Sequence, residues 1–151
     1  MERVAALDPG LALSYGAAFD LLPFAVAEPA ALETRRRELL AWTPPDGCVS
    51  RHPVRTYEPA TCIRPMVREY LLALVEVHLG MADSVDTRIA TFRRHLAEGV
   101  NGRHARQFLS EIEAERAWLA GDAREAARVW DADPNHVWYV EALQSLFYSH
   151  G

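Results

Sequence analysis

Trp118-Leu119-Ala120-Gly121-Asp122-Ala123-Arg124-Glu125-Ala126-Ala127-Arg128-Val129-Trp130, followed by Asp133-Pro134, is the stretch that decides the fold. Gly121 stops a helix, because glycine alone enters left-handed backbone without a steric cost. Asp122 is a strong N-cap for the next helix, with Glu125 three residues on in the capping-box position. Ala123, Ala126, Ala127 and Trp130 are the expected apolar face of that short helix. Small alanines let two helix axes approach closely, and Trp130 plugs the gap toward the next element. A helix, a tight turn and a second helix are predicted.

The same punctuation recurs outward. A helix is predicted from Arg103 to Ala120, with Ala105, Phe108, Leu109, Ile112 and Leu119 inward. Glu98-Gly99-Val100-Asn101-Gly102 closes the hairpin before it, where Val85, Ile89, Phe92 and Leu96 recur at helical intervals and Asp83 or Ser84 is the expected cap. Upstream, Pro65 suits a first helical turn. Ile63, Met66, Val67, Tyr70, Leu74 and His78 form one stripe, and Leu71, Val75 and Leu79 a second, so this helix is expected to be covered on more than one side until Gly80 ends it. Nearer the start, Leu11–Leu22 and Ala30–Trp42 read as two helices, the second with Glu33 and Arg37 as an i,i+4 pair. Between Thr43 and Pro59, four prolines and Gly47 deny regular hydrogen bonding and predict one long loop. A last helical segment is expected from Val137 to Phe147. No alternating apolar and polar run predicts a strand.

The stretch quoted first resembles the second half of a tetratricopeptide repeat, in which Gly121, Ala126, Trp130 and Pro134 match the turn glycine, the small residue, the aromatic and the terminal proline. Gly80 with Val85, Ile89 and Phe92 is a weaker echo, Val85 standing where the family has a small residue. Arg3 to Pro9 is similar to the tail of such a repeat, with Tyr15, Ala18 and Leu22 at positions of a following first helix. Gly80 and Gly121 lie 41 residues apart, against a family period of about 34. The resemblance implies an all-α fold of antiparallel helical hairpins stacked as a tetratricopeptide-like α-solenoid, similar to helical repeat regions of bacterial multidomain proteins, including those joined to serine/threonine kinase or transcriptional regulator domains. Residues 1–151 then read as one helical repeat domain or segment: a hairpin at 1–43, the Pro-rich loop at 44–62, hairpins at 63–99 and 103–132, and a terminal helix at 134–151. Its first and last residues read as though it begins and stops inside an array.

Composition narrows the function. Sixteen basic residues, all arginine, face 21 acidic ones, for a formal charge of -5, which argues against a nucleic-acid protein. No segment has the length and apolarity of a membrane span or a secretory signal, and two cysteines without an export signal fit a cytoplasmic chain. No GxSxG elbow, Walker loop, GxGxxG fingerprint or HExxH pair occurs, and no cofactor is expected. The reading is therefore a non-enzymatic scaffold or protein-protein interaction module, with a protein or peptide as partner.

Two alternatives stand beside it. Cys48, His52 and Cys62 in the Pro-rich loop are of zinc-ligand type, though without a CxxC pair or an obvious fourth ligand, and would mark a metal-dependent or enzymatic site. The arginines at 35–37 and 93–94, with Arg88, Arg103 and Arg106, would give weak polyanion binding if they were not simply solvated faces. For partner binding the expected residues are Arg88, Arg94, Arg103, Arg106, Trp138 and Tyr139, since arginine and aromatics dominate binding hot spots. His78 continues an apolar stripe and is expected in the core or at a hairpin contact. Glu76, Asp46, Asp83 and Asp86 have no spacing that joins two of them for acid/base work, and Glu111 with Glu115 reads as a solvated face. Far-ultraviolet circular dichroism is expected to show a spectrum dominated by helix; a sheet-type spectrum would overturn the reading.

Overall fold

The computed structural model describes residues 9–21, 27–43, 64–99 and 102–132, and among them it is all-helical. Six helices follow one another: α1 Pro9–Asp20, α2 Pro29–Ala41, α3 Arg64–His78, α4 Ala82–Ala97, α5 Gly102–Leu119 and α6 Ala123–Asp131. The loop residues Cys48, His52 and Cys62 and the terminal segment from residue 134 lie outside the described residues.

Local chemistry sets the turns. At Gly80 (φ 69°) and Gly121 (φ 84°) the chain closes in the same way. The Gly80 N–H donates to the Val77 carbonyl and the Met81 N–H to that of Glu76; one hairpin later, Gly121 donates to Trp118 and Asp122 to Ala117. Both are Schellman closures that only a left-handed residue permits. Asp122 caps α6, its Oδ1 accepting from the Glu125 N–H at 3.0 Å. The reciprocal half of the capping box is replaced: the Glu125 carboxylate takes Arg128 at 2.6 and 2.5 Å, and those hydrogen bonds hold it below the usual carboxylate range. At α4 the cap is Met81, with no side-chain bond, and Asp83 and Ser84 fall inside the helix.

Packing then follows a rule. α1 pairs with α2, α3 with α4 and α5 with α6, while α3 also rests on both α1 and α2, and α5 on both α3 and α4. Within pairs the helices run antiparallel: Asp20 and Gly16 meet Arg35 while Gly10 meets Trp42. Between α3 and α5 they run parallel, since Phe108 lies against Tyr70 and Glu115 against His78. Helix α3 is thus covered by four others, as its double stripe predicts, and it contributes Met66, Tyr70, Leu71, Leu72 and Val75 to the core. Tyr70 and Phe108 stack with ring centroids 4.4 Å apart, and Phe92 meets Phe108 edge-on at 6.2 Å. Such aromatic pairs contribute about 0.5–1.5 kcal/mol each beyond buried area.

Some inward expectations are corrected. In α6 it is Ala126 and Val129 that are buried, while Ala123 and Ala127 are exposed; Leu119, expected inward on α5, is 48% exposed. Helix α6 spans nine residues and turns a single strip, Ala126 and Val129, inward.

The α1–α2 contact depends on the absence of two side chains. A Cβ at Gly10 would lie 2.6 Å from the Trp42 indole, and one at Gly16 would lie 2.9 Å from the Arg35 guanidinium. The indole is a rigid plate, whereas a guanidinium can shift a few tenths of an ångström. Gly10→Ala is therefore expected to destabilise by about 1–3 kcal/mol, the usual cost of overpacking, and Gly16→Ala by less. Chemical denaturation of the two variants checks the order.

Candidate partner-binding surface

The parallel seam between α3 and α5 carries a row of polar contacts on apolar supports. On α3, Tyr70, Leu74 and His78 stand four residues apart on one stripe; on α5, Gln107, Glu111 and Glu115 do the same, and Trp118 follows three residues on. The Tyr70 hydroxyl donates to Glu111, whose other oxygen accepts from the Gln107 amide at 3.3 Å. One turn on, His78 Nε2 lies 3.0 Å from Glu115 Oε1. Leu74 sits half-buried between them, and Trp118 closes the row with 53% of its surface in water. The acids at 111 and 115, expected on a solvated face, instead tie two hairpins together, and His78 is the hairpin contact the alternatives included.

The arginines divide by position. Successive helical residues point about 100° apart, so Arg35 reaches Asp20 at 2.8 Å, Arg36 reaches Glu76 at 3.0 Å, and Arg37 stays exposed, donating to Thr34 and to the Glu33 carbonyl rather than its carboxylate. Arg88 is committed inside the molecule. Arg94 and Arg106 are exposed and carry no ion pair among the described residues, and Arg103 lies in the first turn of α5, its side chain outside the description. Trp138, Tyr139 and Pro134 also lie outside it. Of the repeat positions, Ile89 and Ala126 are buried, Trp130 and Tyr15 half-buried, and burial raises the Tyr15 phenol above its usual pKa.

On another side of α3 lies a charge cluster that the sequence does not announce. Glu76 is 0% exposed. Its Oε1 accepts from Arg36 Nε at 3.0 Å and Arg88 Nη2 at 3.3 Å, and its Oε2 from Arg88 Nε at 3.2 Å. Arg88 Nη1 continues to Glu69 at 2.6 Å, Glu69 to Arg68 at 2.7 Å, and Arg68 donates to the last carbonyls of α2, Leu39 at 2.8 Å and Leu40 at 3.0 Å. Burial works to lower the Arg88 pKa, but its hydrogen bonds and charge contacts to Glu76 and Glu69 outweigh that and raise it. With no exposed surface and both oxygens accepting from guanidinium groups, the Glu76 carboxylate serves to hold three helices together.

Among the described residues no group of three or more His, Cys, Asp or Glu could hold a metal, and no described helix is long and apolar enough to cross a membrane. Glu76→Gln is expected to cost about 3 kcal/mol of stability, the low end for breaking a buried pair, because Arg36 and Arg88 keep 22% and 19% of their side-chain surface in water. Thermal unfolding measures it. Compared with known proteins, the chain matches no family, no curated protein and no solved structure.

Proposed function

We propose that this chain is a non-enzymatic helical repeat module, a tetratricopeptide-like α-solenoid segment that binds a protein or peptide along the face formed by its first helices α1, α3 and α5. One observation carries the reading: each new hairpin seats its first helix on both members of the hairpin before it, as in stacked arrays whose units touch only their neighbours. In such an array the parallel first helices form a continuous face. Here that face offers Leu74, His78 and the open indole of Trp118, an aromatic anchor with polar groups beside it. Anchors of that kind dominate interface energetics, and truncating one typically weakens binding by about 2 kcal/mol or more.

The exposed Arg94 on α4 and Arg106 on α5 supply a weaker, salt-sensitive contribution. Proximity labelling in cells, with the chain as bait, is expected to enrich a defined set of proteins that Trp118→Ala loses while its melting temperature stays unchanged. Identical sets for wild type and variant would overturn the assignment of this face.

A further inference from the structure

We infer that the α1–α2 hairpin is a separately opening leaf, latched onto α3 by the Glu76 carboxylate. The contact between α2 and α3 is a facing pair of stripes. Leu32, Arg36 and Leu39 share one side of α2; Arg68, Leu72 and Glu76, spaced four apart, share one side of α3. Arg36 meets Glu76 at one end, and Arg68 grips the α2 carbonyls at the other. Leu72, fully buried, lies midway between the two clamps.

The apolar part of this docking is small. Among the described residues the hairpin buries Ala17, Ala18, Leu32 and Leu39, with Leu13, Leu21 and Trp42 partly covered. The α3–α4–α5 body buries Tyr70, Leu71, Val75, Val85, Ile89, Phe92, Phe108 and Ile112. Since hydrophobic stabilisation scales with apolar area removed from water, the hairpin is held proportionately more by charge contacts, and units with few apolar contacts open at lower free energy than the rest of a molecule.

The latch is also built to release without stranding a charge. Glu76 is shared: when Arg36 withdraws, Arg88 still donates to both of its oxygens. The carboxylate therefore keeps a cation in the open form, which avoids most of the cost of an unpaired buried charge. Opening bares Leu72 between Arg68 and Glu76, a seat for a helix that carries an arginine with leucines four residues before it and three after, as α2 does. This inference rests on the helix contacts alone and is independent of the partner face on α3 and α5.

Native-state hydrogen exchange of the full chain under rising denaturant, in wild type and Arg36→Met, tests it. Methionine keeps the apolar stem and removes the charge. The expected result is that α1 and α2 exchange through an opening that α4 and α5 do not share, and that Arg36→Met speeds exchange in α2 by roughly tenfold or more with α4 and α5 unchanged. Exchange of all helices through one common opening would overturn the inference. So would an Arg36→Met variant that leaves α2 unaltered or speeds every helix equally.

Discussion

The carboxylate of Glu76 sits at the junction of three helices. It is the one acid among the described residues that is wholly removed from water, and it is tolerated there because guanidinium groups arrive from both sides. Desolvating these charges is expensive, and a hydrophobic substitute could give equal or greater stability. What the ionic arrangement supplies is register: Arg36 on α2 and Arg88 on α4 can satisfy the same carboxylate only at one axial position of each helix against α3. The aromatic cluster of Tyr70, Phe92 and Phe108 contributes cohesion among α3, α4 and α5, and the charges fix the axial register at which it acts.

What was legible in the sequence was local. The stop at Gly121, the cap at Asp122 and the stripes along α3 and α4 follow from propensity and period, which act within a few residues, and the all-α class follows from them. What was not legible was long-range pairing. Arg36 and Glu76 are 40 positions apart, and nothing in either neighbourhood singles out the other. The acids at 111 and 115 look solvated on a helical wheel, because a wheel does not know that α3 will lie alongside with a tyrosine and a histidine at matching intervals. The only available hint was that Tyr70 and His78 are polar-tipped residues on an apolar stripe, a sign that the stripe meets hydrogen-bonding partners. The facing of Trp118 was not legible for a related reason: at the end of a helix, next to Leu119, an aromatic fits a recognition surface or hairpin packing equally well until the neighbouring helices are placed.

The candidate surface and the buried cluster divide the work of α3. One side of this helix carries the Tyr70, Leu74 and His78 stripe to the seam with α5. Another carries Arg68, Leu72 and Glu76 to α2. Contacts to Glu69 and Glu76 from Arg88 join the second set to α4, so a shift of α3 along its axis disturbs both its own hairpin partner and the α1–α2 hairpin at once. The wide apolar face read in the sequence is the covalent record of that central position.

The parallel alignment of α3 and α5 has a consequence for how the chain tolerates changes in length. One residue inserted between Phe108 and Glu115 would rotate the rest of α5 by about 100°, carrying Glu115 away from His78 and turning the Trp118 indole off the seam. The same insertion at the exposed Gly99 turn would leave every helical register intact. Length variation compatible with this architecture is therefore quantised: single residues at the turns, whole hairpins elsewhere, and nothing in between within the first helix of a unit.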